Sequence, residues 1–213
     1  MFTVCHFGHI GSYFDYHYIS LIRCGSRYPK LTPSHRSITI EYQVALTTLL
    51  THMAEVKHVI AFYSHRPEKY TTGEEHLAHF SNFSVDKVTY QGISYLSAEH
   101  AFQCQKPLFK KDAERIAACA TPMDCAKMGR DRSIAIQPDW DNKRLTVMWE
   151  VLLCKFTQNQ VAYQALLATG DAYLEERTSL DWFWGSGSDS AGGEGKNMLG
   201  RMLVELRTVL KKY

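Results

Sequence analysis

The sequence predicts an α+β fold, a predominantly helical single domain carrying a small antiparallel sheet. Apolar residues Leu145, Met148, Trp149, Leu152, Leu153 and Phe156 recur at i, i+3, i+4 and i+7, the spacing of one buried helix face. The segments "DKVTY" and "ISY" alternate on either side of Gln91-Gly92, which is a hairpin signal. Start and stop signals at Thr121-Pro122-Met123-Asp124 and Thr169-Gly170 mark further helices.

Taken in order, residues 1–40 predict a poorly structured extension, and 41–213 the folded domain. The opening stretch "CHFGHIGSYFDYHYISLIRCGSRYPKLTPSHR" is rich in His, Tyr, Ser and Gly and has no sustained period. Its four histidines (6, 9, 17 and 35) lack the carboxylate or cysteine spacing of a ligand set, so no metal is predicted. From Thr39 to Glu55, Val44, Leu46, Leu49, Leu50 and Met53 fall at helical spacing. "VIAFYS", Val59 to Ser64, reads as a buried strand. Ser97 supplies an N-cap for the helix after the hairpin. Thr121 starts another, the strongest amphipathic helix follows Pro138-Asp139, and a further one ends at Ala168. Five glycines between 185 and 195 then lead into a last helix from Asn197 to about Lys211.

With 213 residues, 45% hydrophobic and 22% charged, the chain falls in the ordinary globular range. A net charge of +2 provides no broad cationic face of the sort a dedicated nucleic-acid binder carries. The six cysteines form no C-x-x-C pair, and neither a leader pattern nor a membrane-length apolar run is visible. The expectation is a reduced, cytoplasmic or nuclear protein with free thiols, no membrane association and no cofactor.

Three patches hold groups suited to chemistry. In "SAEHAFQCQK", a helix beginning near Ala98 places Glu99, Phe102, Gln103 and Lys106 on one face, with little apolar cover. Glu99 would lie in the first turn, fit to activate a water or balance a developing cation. An exposed polar helix face explains the same residues. In "KMGRDRSIAIQPDWDNK", Arg130 and Arg132 could fork onto phosphate and Trp140 could stack a base or sugar; surface ion pairs and a core tryptophan are the alternatives. In "DWFWGSGSDSAGGEGKNMLG", loop amides before a helix could cradle an anion, with Asp181, Trp182, Phe183 and Trp184 at the rim. It is not a Walker A loop, because Ser190 and Asn197 stand where that motif needs Gly and Ser or Thr. No G-x-S-x-G elbow and no dinucleotide fingerprint appears.

In this order the patches resemble the NADAR family, over about 150 residues from Phe62 to the end. The matching segments are "FYS" (62–64), "FSNF" (80–83), "SAEHAFQCQK" (97–106), "TPMDCAKMGRDRS" (121–133) and "DW" (139–140). They continue with "KF" (155–156), "TGDAYLEE" (169–176), "FWGSG" (183–187) and "GKNMLGRMLVELR" (195–207). The resemblance implies hydrolysis of the bond between a nitrogen and the anomeric carbon of a phosphorylated ribose. It makes Glu99 the central catalytic residue, with Trp140, Trp184 and Lys106 beside it. Substrate-binding roles follow for Phe62, Tyr63, Asn82, Phe83, His100, Gln103, Arg130, Arg132, Asp181, Gly185, Gly187, Gly195 and Asn197. Some members carry an aspartate two residues past the second tryptophan; Ser186 stands there, which leaves Asp181 and Asp189 as stand-ins.

Two substrates fit: ribosylamino-pyrimidine phosphates of riboflavin synthesis, and ADP-ribose on guanine in nucleic acid. A chain without a fused riboflavin-pathway domain leans toward the second. A non-catalytic ADP-ribose-binding module is the alternative. Lys106 could orient the carboxylate, bind phosphate or attack the opened sugar.

Overall fold

The computed structural model describes residues 58–212. Along the chain run β1 (Val59–Phe62), β2 (Val88–Tyr90), β3 (Ile93–Tyr95), α1 (Ala98–Gln103), α2 (Lys110–Ala117), α3 (Pro122–Met128), α4 (Trp140–Gln158), α5 (Gln160–Ala168), β4 (Tyr173–Glu176) and α6 (Met198–Leu210). Single 3-10 segments, Pro67–Lys69 and Glu75–Phe80, lie between β1 and β2. The expected extension over 1–40 and the helix expected over Thr39 to Glu55 lie outside the described residues. Helices dominate and the antiparallel sheet is small, as the patterning predicts.

The described residues divide into two compact units, 64–164 and 58–63 with 165–212. In the first, β2 and β3 pair antiparallel with Val88 opposite Tyr95 and Tyr90 opposite Ile93. Gln91 and Gly92 turn the hairpin with φ of 51° and 80°, the left-handed pair a two-residue primed turn demands. α4 buries Met148, Trp149, Leu152, Leu153 and Phe156, which is the predicted face. Its Gln158 carboxamide bonds both sides of Thr89 (2.7 and 2.8 Å) and so substitutes for a neighbouring strand on β2. Thr121 caps α3 by accepting the Asp124 N–H at 3.1 Å. α2 has no counterpart in the sequence reading; its "KKDAERIA" run buries only Asp112 and Ile116, too narrow a stripe to register as a period.

In the second unit β1 pairs with β4 in parallel, Val59 with Tyr173 through Phe62 with Glu176. The strand expected over Val59 to Ser64 is present as Val59–Phe62, but only Phe62 in it is buried and Val59 is exposed; its partner β4 is not predicted. Helix α6 packs its Leu199, Leu203, Leu206 and Leu210 face toward β4. Gly200 allows the close approach: a β-carbon there would meet the Leu174 carbonyl oxygen at 2.1 Å. The buried Arg207 guanidinium bonds the Thr169 hydroxyl (2.6 Å) and the Ala172 carbonyl (2.8 Å), fixing the turn after α5.

Among the described residues no helix is long and apolar enough to cross a membrane. Cys104, Cys119 and Cys125 are free thiols, while Cys154 is disulfide-bonded, against the expectation of thiols throughout.

Candidate functional site

All six residues of α1 are buried, which overturns both the thin apolar cover and the exposed polar face considered from sequence. Ser97 begins the helix by accepting the His100 N–H (3.3 Å), and its hydroxyl meets His100 Nδ1 at 2.8 Å. His100 Nε2 lies 3.1 Å from the Cys119 carbonyl oxygen, so this nitrogen carries the proton and donates it. Burial pushes His100 below the ordinary imidazole range, against the opposing effect of that bond. With no exposed surface and both nitrogens used, His100 braces the cap; the substrate contact expected for it is not available.

Glu99 is 6% exposed. A carboxylate in such surroundings needs partners, because burying it bare costs several kcal/mol or more. Gln103, one turn later, donates Nε2–H to Glu99 Oε1 at 2.8 Å, as the i, i+4 spacing predicts. The Glu99 backbone N–H donates to the Asn82 carbonyl (3.0 Å), tying α1 to the Ser81–Ser84 loop. Asn82 Nδ2 points to Met148 Sδ at 3.3 Å, and its Oδ1 is buried without a hydrogen-bond partner among the described residues, as is Gln103 Oε1. Phe83, half-buried, sets its ring 6.0 Å from that of His65.

Lys106 lies just past the end of α1, and its ammonium donates to the Gly129 carbonyl at 2.5 Å. Burial pushes it below the ordinary lysine value; the nearby Glu99 carboxylate pulls it back up, and the Arg130 guanidinium adds repulsion. Lys106, Glu99 and Arg130 therefore share one electrostatic neighbourhood. Arg130 and Arg132 are exposed and, among the described residues, have no ion-pair partner. Trp140, at the start of α4, is buried with its ring 5.2 Å from that of Phe102, which lies three residues after Glu99 in α1.

Behind α1, burial raises the Cys104 thiol to about 12 and pushes Cys125 up as well. These thiols fill space and are poor nucleophiles.

In the second unit the glycine loop folds on itself. The amides of Gly195, Lys196, Asn197, Met198 and Leu199 donate to carbonyls of Ser186, Trp182, Gly185, Phe183 and Trp184 at 2.7–3.1 Å. The expected anion cradle before α6 is thus already occupied by the protein's own backbone. Glycine is needed there for another reason. A β-carbon on Gly195 would meet backbone atoms of Ser186 and Gly185 at 2.4 and 2.6 Å, and one on Gly187 would meet the Trp182 ring at 2.7 Å. Gly185 is likewise hemmed in, with Thr178 Cγ2 at 2.3 Å from its would-be β-carbon.

Asn197 adopts the left-handed conformation and spends its whole amide on β4: Nδ2 donates to Tyr173 Oη and the Leu174 carbonyl, and Oδ1 accepts the Glu176 N–H. It is a strut rather than a ligand-facing group. Asp181 Oδ1 accepts the N–H groups of Phe183 (2.8 Å) and Trp184 (2.7 Å), Asp189 Oδ1 that of Ser179, and buried Ser186 donates to the Ser188 carbonyl. Both candidate stand-ins for the missing aspartate are engaged in shaping the loop. Phe183 and Trp184 pack edge to face at 5.0 Å. Phe62 is wholly buried in β1, so its expected substrate contact is not available either, while Tyr63 beside it is exposed.

Residues 61–211 match the family model described as the NADAR domain. The chain belongs to the NADAR family. Over 141 residues it is 40% identical to the N-glycosidase YbiA of Escherichia coli (strain K12), covering 66% of this chain and 86% of that protein. The NMR structure of E. coli YbiA superposes with a TM-score of 0.62 at 37% identity, covering 73% of this chain and 86% of that one. The N-glycosidase Npun_R5314 of Nostoc punctiforme is 36% identical over 62% of this chain and 85% of its own length. A riboflavin biosynthesis protein of Vibrio vulnificus, VVA0006, is 32% identical over 66% of this chain and 37% of its own length.

Two residues of this NADAR chain, Gly129 and Lys155, have no role in the sequence reading, and Asn82 is expected there only as a substrate-binding residue. Gly129 and the Asn82 carbonyl are backbone contributors, and side-chain patterning does not report those. Lys155 was legible: it falls seven residues after Met148 and three after Leu152, on the apolar face of α4 where a lysine is out of place.

Proposed function

We propose that this NADAR chain is an N-glycosidase hydrolysing the bond between a nitrogen base and C1 of a phosphorylated ribose, with Glu99 as its reacting carboxylate. One observation carries the reading: Glu99 is buried, held by Gln103, and in the electrostatic reach of Lys106, which also feels the exposed Arg130. A carboxylate kept in that setting is suited to charge that appears only in the transition state. The names of YbiA and Npun_R5314 support the same reaction class.

In the reaction, the C1–N bond breaks with its electron pair passing to nitrogen. Water oxygen bonds to C1, and one water proton ends on the leaving base. Oxocarbenium character at C1 is what the Glu99 carboxylate stabilises, and it can accept the water proton as attack proceeds. Gln103 fixes the orientation of that carboxylate. Arg130 and Arg132 bind phosphate, Lys106 holds the Gly129 carbonyl and lends positive charge, and Trp140 walls the sugar side through Phe102. A role for Trp184 rests on the family motif alone.

The substrate we propose is a ribosylamino-pyrimidine phosphate, supported by the relative named for riboflavin biosynthesis. Two exposed guanidinium groups two residues apart, without an ion-pair partner among the described residues, favour a second reading, a diphosphate such as ADP-ribose linked to guanine. The test is Glu99→Gln, assayed on the pyrimidine compound and on ADP-ribosylated guanosine. Activity should fall on the order of 10²–10⁴-fold with the fold retained. Full activity in the Gln variant would overturn the assignment of Glu99. Binding of ADP-ribose by the parent chain with no product from either compound would establish a non-catalytic module instead.

A further inference from the structure

Lys155 has no exposed surface. Its ammonium donates to the Ser81 carbonyl (2.8 Å) and the Ser84 hydroxyl (2.7 Å) and faces Asp86 Oδ2 at 3.6 Å. Asp86 in turn accepts a hydrogen bond from the Ser84 hydroxyl (2.6 Å) and meets His79 Nδ1 at 2.9 Å. Burial lowers Lys155 to about 8, offset by the charge of Asp86. An apolar side chain of similar size would fill the position without that cost, since buried ion pairs are often replaceable with no loss of stability. What an apolar side chain cannot do is grip the loop. Ser81 and Ser84 bracket Asn82, whose carbonyl receives the Glu99 N–H.

We infer that Lys155 is a positioning residue for the glycosidase reaction: by clamping Ser81 and Ser84 it sets the Asn82 carbonyl, and through it the first turn of α1 that carries Glu99. The inference rests on the assignment of Glu99 as the reacting carboxylate. A clamp of this kind affects the transition state more than substrate binding, because small displacements of a reacting group change rate steeply.

The experiment compares Lys155→Met with the parent, using ribosylamino-pyrimidine phosphate in one arm and ADP-ribosylated guanosine in the other, well below each melting temperature. In the substrate that the parent turns over, kcat should fall about 10–100-fold while KM stays within about threefold. A purely structural lysine would lower the melting temperature and leave kcat of the folded protein alone, and that result overturns the inference. If Lys155→Met does not fold, Ser84→Ala decides: a severalfold loss of kcat at steady KM supports the clamp, and parental kcat overturns it. Glu99→Gln is run in parallel. If it is inactive while Lys155→Met is fully active, only the clamp fails; if Glu99→Gln is fully active, the underlying assignment fails and the clamp with it.

Discussion

The side-chain oxygen of Gln103 lies where a β-carbon on Gly129 would be, 2.1 Å from that position. The Gln103 amide can reach Glu99 because residue 129 has no side chain. Gly129→Ala should therefore fold, since the obstructing group is the movable end of a glutamine, but Gln103 must swing away from Glu99. The expected outcome is about a tenfold loss of kcat, equivalent to about 1.4 kcal/mol in the barrier. Steady-state kinetics beside a melting curve checks it, and parental kcat would show that the Gln103 contact is idle.

Arg130 is exposed and its guanidinium has no ion-pair partner among the described residues. Arg130→Ala should leave stability within about 0.5 kcal/mol, as for surface positions without special contacts. If the group binds substrate phosphate, KM should rise about tenfold with kcat little changed, and the effect should shrink in high salt. A variant with parental KM would remove Arg130 from the phosphate site.

The Asp86 cluster has an acid-stability signature. Burial raises the Asp86 carboxyl, but the hydrogen bond from His79, the charge of Lys155 and the Ser84 hydroxyl outweigh it and hold it near about 2, below the ordinary 3.8. A folded value below the unfolded one means the contribution is full above the unfolded value and is lost as pH falls toward the folded one. Its size is on the order of 2 kcal/mol. Lys155 works in the other window. Its folded value is also below the unfolded one, so the unfolded chain binds the extra proton and stability rises with pH from about 8 toward 10.5. Denaturant titrations of the parent and Asp86→Asn should differ most near neutrality and converge as pH approaches 2. Parallel curves across that range would contradict the network.

Loop amides committed to protein carbonyls should be slow to exchange. Hydrogen exchange is expected to protect Gly195, Asn197, Met198 and Leu199, and inorganic phosphate should leave their resonances unmoved. Gly195→Ala forces a β-carbon against backbone rather than a movable side chain, so it should cost about 1–3 kcal/mol by thermal unfolding. Ready exchange at those amides would restore the anion cradle.

The legible parts of this molecule were those written in periodic apolar residues and in capping chemistry. Leu145 to Phe156 announced α4, Gln91-Gly92 the hairpin, and Thr121-Pro122 the cap of α3. The alignment of Glu99 with Gln103 followed from helical spacing alone. Whether that face met water did not, because much of the cover comes from α3 and α4, which lie further along the chain. β4 was hidden because "YLEE" carries two acids and pairs through its backbone with a strand more than a hundred residues earlier. The glycine loop was misread for a related reason: its glycines serve close contact between its own two limbs, which resembles an open phosphate loop in one dimension.

The base of that loop is sewn shut by five amide–carbonyl bonds between residues 182–186 and 195–199. The exposed tip at Ser190 and Ala191 hangs from a closed ring. Its length can drift there, or a peptide can be spliced into it, without the register of α6 feeling the change.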